Sequence, residues 1–155
     1  MRISFFHAAA AVILGLALAG GAPAAPPAVI TVASGHDFDT LVSRLEAAIA
    51  RHRMGLVAQA SASSGAAARG VKIPGNAVLM VFRNDYAVRM LAASVPAGIE
   101  APLRLYVTER ADGTAQVSYP APSAVFAPYG SAELDAMARE LDPVFARIVA
   151  DAVAP

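Results

Sequence analysis

Between Ala101 and Tyr119 the chain reads APLRLYVTERADGTAQVSY, and no other stretch constrains the fold as tightly. Leu103, Leu105, Val107 and Glu109 alternate with Arg104, Tyr106, Thr108 and Arg110. Beyond Asp112-Gly113, Ala115, Val117 and Tyr119 alternate with Thr114, Gln116 and Ser118. A period of two is the mark of strands with one face in a core and one face out of it. A two-residue loop would set Val107 against Ser118 and mix the faces. A three-residue loop, Ala111–Gly113, sets Val107 against Val117 and Leu105 against Tyr119, keeping one face apolar. Gly113 suits the left-handed residue that ends such loops. The expectation is an antiparallel hairpin with a polar face carrying Arg104 and Tyr106.

Upstream, Val29–Ala33 is short and β-branched, as a strand would be. Asp37 is placed to cap a helix in which Phe38, Leu41, Val42, Leu45, Ala48, Ile49 and His52 recur at steps of three and four. Gly55 suits its left-handed end. Leu56–Ala60 reads as a second strand, and SASSGAAARG as a loop with one helical turn at most. Ala77–Phe82 is an unbroken apolar run, expected of a strand buried on both faces. Asp85–Ser94 reads as a short helix closed by Pro96. Ser131 caps a last helix whose apolar rhythm keeps phase across Pro143, which predicts a kink or a restart there. The order β-α-β-β-α-β-β-α argues an α+β fold, a mainly antiparallel sheet with helices packed on one face.

The first residues read differently. Arg2 is followed by the uncharged apolar stretch Phe5–Gly20 and by Ala22-Pro23-Ala24, small residues at signal-peptidase spacing. Residues 1–24 are therefore expected to be a secretory signal peptide, with residues 25–155 a single domain. The stretch is too short and too rich in Ala and Gly for a comfortable span, so no stable membrane insertion is expected after its removal. The mature product is expected to be periplasmic or secreted. It would keep 11 basic residues, the chain's 12 less Arg2, against 12 acidic ones. That balance gives no electrostatic reason to bind nucleic acid. The chain has no cysteine, which removes thiol catalysis and thiolate metal sites and leaves stability to a packed core.

No catalytic constellation stands out, and no cofactor is expected. His36 and His52 have no ligand spacing, so no metal site is expected. Ser61, Ser63 and Ser64 lack a nucleophile-elbow pattern. Ser64, with Arg69 and Lys72, is the candidate anion site, on the argument that Ser63-Ser64-Gly65 opens a helix with free N–H groups. Arg104, Tyr106, Arg83, Asn84 and Glu100 are the candidate ligand or interface residues, Tyr and Arg being enriched at interfaces. A pocket holding Arg83, Asn84 and Glu100 together would favour an enzyme, a hydrolase among others.

Several of these pieces resemble the family named domain of unknown function 302. They are Ala66–Gly70 (AAARG), Pro74, Val78–Phe82 (VLMVF) with Asn84, and Met90. They continue through Ala101–Glu109 (APLRLYVTE), Asp112-Gly113, Ser118-Tyr119 and Pro122. The resemblance runs from Ala58 to Pro122. It implies a small α+β domain, a curved antiparallel sheet backed by helices, with a capacity to dimerise. It brings no catalytic residues. The chain departs from the family pattern in having no histidine in QASASSG and in reading Arg83-Asn84-Asp85 where members often have Gly-Asn-Pro. The leading expectation is an exported, non-enzymatic binding or interaction module. Its expected partners are a second copy of the chain or a small apolar ligand held in a cavity, as in a carrier.

Overall fold

The computed structural model describes residues 28–155. The expected signal peptide lies outside them. Five strands form one antiparallel sheet in the order β1-β5-β4-β3-β2: β1 is Val29–Ala33, β2 Gly55–Ala60, β3 Asn76–Phe82, β4 Leu103–Glu109 and β5 Ala115–Pro120. The β4–β5 hairpin has the three-residue loop. Val107 faces Val117, Glu109 faces Ala115, and Arg110 N–H donates to the Thr114 carbonyl at 2.7 Å. Gly113 is left-handed, at φ 81°.

One face of the sheet makes the core. Leu79, Val81, Leu105, Val107, Ala115 and Val117 point to it and are buried. Helix α1 (Phe38–Arg51) lays Leu41, Leu45, Ala48 and Ile49 over them, and α5 (Ala132–Val153) packs beside α1 with Leu134, Leu141, Phe145 and Ile148. Asp37 caps α1, its Oδ1 accepting from Thr40 N–H at 2.8 Å, and Ser131 caps α5 through Leu134 N–H. Three shorter helices fill the ends: α2 (Ala62–Ala67), α3 (Asn84–Ala93) and α4 (Pro122–Phe126), with 3-10 turns at Val95–Glu100 and Ala127–Tyr129.

Four local expectations need correction. The left-handed residue after α1 is Arg53, at φ 58°, not Gly55. Gly55 instead opens β2 against β3, where an added Cβ would lie 3.2 Å from the Phe82 carbonyl. The SASSG stretch forms α2, because Ser61 Oγ accepts from Ser64 N–H and closes its first turn. Helix α5 runs unbroken through Pro143. The Asp142 carboxylate accepts from Ser123 N–H at 2.9 Å and ties α4 to α5. Finally, β3 is not buried on both faces. Ala77, Leu79 and Val81 are buried, whereas Val78, Met80 and Phe82 are half-buried on the far side. The helices cover one face of the sheet, as expected, and leave that far face open.

Candidate interaction surface

Strand register places the open face residue by residue. One row across it is Thr31, Ser118, Tyr106, Val78 and Ala60. The next row holds Arg104, Met80 and Ala58, with Val29 and Pro120 beside them at the β1 edge. A third holds Ala33, Gln116, Thr108 and Asn76. Tyr106 is 44% exposed at the middle of the central strand. Thr31 and Ser118 hydroxyls bond each other across the β1–β5 edge at 2.9 Å. Arg104 is the one charged residue in these rows, and it has no ion pair or hydrogen bond among the described residues. The apolar quarter formed by Ala58, Ala60, Val78, Met80 and Tyr106 surrounds it on the β2–β3 side. Sequence reasoning placed Arg104 and Tyr106 on this face of the sheet but missed the β2 and β3 residues beside them.

The other candidates are scattered. Arg83 forks onto Asp85 (Nε–Oδ1 2.7 Å, Nη2–Oδ2 3.0 Å) and stacks on the Tyr86 ring at 4.2 Å. That hydrogen-bonded pairing holds the Asp85 carboxyl below its ordinary range and raises Arg83. Asn84 is the first residue of α3. Glu100 accepts from the Tyr129 hydroxyl at 2.9 Å, which raises the Tyr129 phenol. Arg83 lines a cavity between sheet and helices that neither Asn84 nor Glu100 lines, so this cavity does not gather the three.

Ser64 and Lys72 share a groove, and Arg69 lies outside it. Asp39 and Glu109 line the same groove and oppose an anion there. The first N–H groups of α2 are already engaged, Ala62 by the Asn76 side chain and Ser64 by Ser61. The histidines are structural in their contacts. His36 Nε2 donates to the Ala154 carbonyl at 2.8 Å, and His52 Nε2 meets Asp151 at 2.9 Å. His52 therefore serves the last turn of α5 besides ending α1. Arg44 adds bonds to the Ala152 and Ala154 carbonyls there, at 2.8 and 2.7 Å. No group of three or more His, Cys, Asp or Glu side chains suited to a metal occurs among the described residues.

A family model, domain of unknown function DUF302, matches residues 30–152. The chain belongs to the DUF302 family. The match extends well beyond the Ala58–Pro122 stretch that carries the resemblance in sequence, taking in β1, α1 and α5. A crystal structure of an uncharacterized conserved DUF302 protein from Bacillus stearothermophilus superposes with a TM-score of 0.72. The two chains are 20% identical over 81% of this chain and 98% of that one. That likeness is one of fold. No curated protein matches the chain.

Proposed function

We propose that this DUF302 chain is an exported, non-enzymatic interaction module that pairs with a second copy through the open face of its sheet. The observation that carries the reading is the composition of that face. A solvent-facing sheet surface normally mixes charges of both signs. This one spans five strands with a single unpaired charge, Arg104, set beside Met80. Charge depletion around a central aromatic is how the middle of an interface is built. Five strands about 4.8 Å apart and about 20 Å long present roughly 500 Å² before side-chain relief. With relief that approaches the about 800 Å² per partner of a standard interface. Export is supported by the run from Arg2 through Phe5–Gly20 to Ala22-Pro23-Ala24.

Two rival readings have less to stand on. An enzyme would need a gathered polar site, and Arg83, Asn84 and Glu100 are not gathered. A carrier would need a ligand-sized void, and the cavity between sheet and helices has a volume of about 30 Å³. That is room for one or two water-sized particles.

Light scattering over a dilution series tests the pairing. The expected result is a dimer mass at micromolar concentration, lost in Met80→Asp, with circular dichroism unchanged because Met80 lies outside the core. Tyr106→Ala should weaken association by about tenfold or more, as truncating a central aromatic costs 1–2 kcal/mol or above. A wild-type monomer at all concentrations would overturn the proposal.

A further inference from the structure

The open face of the sheet is matched to itself in apolarity but not in charge. In the order β1-β5-β4-β3-β2 the middle strand is β4, and Arg104 and Tyr106 both stand on it. Met80 lies across from Arg104 on β3, and Ala58 across from Met80 on β2. Ser118 faces Tyr106, which puts Pro120 beside Arg104 on β5, with Val29 beyond it on β1. Arg104 is thus the centre of a row whose other members are apolar. Two strands, about 10 Å, separate it from either lateral edge. No residue that the register puts on this face is Asp or Glu. Arg104 and Tyr106 are both exposed, and neither the guanidinium nor the phenol hydroxyl has a hydrogen-bond partner among the described residues.

Identical faces joined about a two-fold axis bring only what each face owns. Two copies bring two guanidinium groups and no carboxylate. Taking a charge out of water without a counter-charge opposes association. We propose, resting on the pairing argued above, that association takes up a small oxyanion at Arg104, so that the anion regulates the pair. The guanidinium presents parallel N–H donors that match two oxygens of a sulfate, a phosphate or a carboxylate. Tyr106 is the next residue on the same side of the strand, about 7 Å along, and its hydroxyl is a second donor. A guanidinium exposed on a single chain holds such an anion weakly. One enclosed between two apolar faces holds it more strongly. An anion that prefers the pair to the single chain must in turn strengthen the pair.

The full chain is followed by light scattering over a dilution series at fixed ionic strength, with sodium sulfate replacing sodium chloride in millimolar steps. Sulfate is expected to tighten the wild-type dimer by about tenfold, the gain when free anion reaches about ten times its dissociation constant. Arg104→Met should pair more tightly than the wild type without sulfate and ignore its addition, since the charge that needs the anion is gone. Arg104→Gln takes its place if circular dichroism shows the methionine variant unfolded. A parallel acetate series separates a tetrahedral oxyanion from a carboxylate as the better ligand. A wild-type dimer indifferent to both anions would overturn the inference and leave the pairing standing. So would an equal response in the variant, which is what general exclusion of sulfate from apolar surface produces. Weaker pairing of the variant without sulfate would overturn it too, by showing that Arg104 bonds the second copy directly. A wild-type monomer in every buffer would overturn pairing and anion uptake together.

Discussion

Arg53 and Gly55 show what a single residue can and cannot signal. A glycine three residues beyond His52, the last residue of the helical pattern, invites the left-handed position, but the chain turns two residues earlier, at Arg53. Met54 is the reason: it has to enter the core, so the helix must be finished before it. Gly55 is then free for a different need, close approach to the Phe82 carbonyl. Gly75 is a second close approach, and a stricter one. A Cβ there would lie 2.6 Å from Phe38 Cγ, at the start of α1. Gly75→Ala is expected to push the Phe38 ring out of its packed position and to lower stability by about 1–3 kcal/mol, the usual cost of overpacking. A urea denaturation midpoint measures this; an unchanged midpoint would mean that the ring has somewhere else to go. Nothing in Pro74-Gly75 beyond its turn character discloses that contact, because Phe38 lies 37 residues away in sequence.

At the scale of elements, the legible parts are those with a period. The β4–β5 hairpin was readable to the register because its apolar and polar residues alternate, and α1 because its apolar residues follow a helical stripe. Strand β3 has no period to read, since Ala77–Phe82 is apolar throughout. It follows that its open face, and with it half of the proposed pairing surface, was invisible even though Arg104 and Tyr106 were not. Helix α2 was hidden by its Ser, Gly and Ala composition, which has no apolar stripe; a side-chain cap and a neighbouring strand hold it instead. Pro143 raises the converse problem. Twelfth of 22 residues in α5, it denies the helix one N–H donor, yet the apolar stripe from Leu134 to Ala152 keeps the helix continuous. Pro143 is itself exposed. Pro143→Ala therefore removes the backbone penalty without emptying any core space, and should raise stability by about 1–3 kcal/mol. A rise in Tm checks it, and a fall would show that the ring contributes packing the exposed position conceals.

For the whole molecule, a core without disulfides leaves surface electrostatics to set the response to acid. Five carboxyls are held below their ordinary values, each chiefly by hydrogen bonding. Asp37 is held by Thr40, Asp85 by Arg83, Asp112 by Thr114, Glu140 by Arg89, and Asp151 by His52. Three of these contacts are local and two pin distant parts of the fold together: Arg89–Glu140 joins α3 to α5, and His52–Asp151 joins the end of α1 to the end of α5. A carboxyl with a lowered folded value binds its proton more weakly in the folded chain than in the unfolded one. Its stabilisation is thus complete above the ordinary values, 3.8 for Asp and 4.5 for Glu, and disappears as pH falls through the lowered ones. The side chains are exposed, so each contribution is small and screened by salt. The urea midpoint is expected to drop with its steep part below about pH 4. The drop should be shallower in Glu140→Gln/Asp151→Asn, whose helix-to-helix pairs no longer titrate, and shallower again in high salt. An acid drop of the same depth in that double variant would move the cause away from these two contacts of α5.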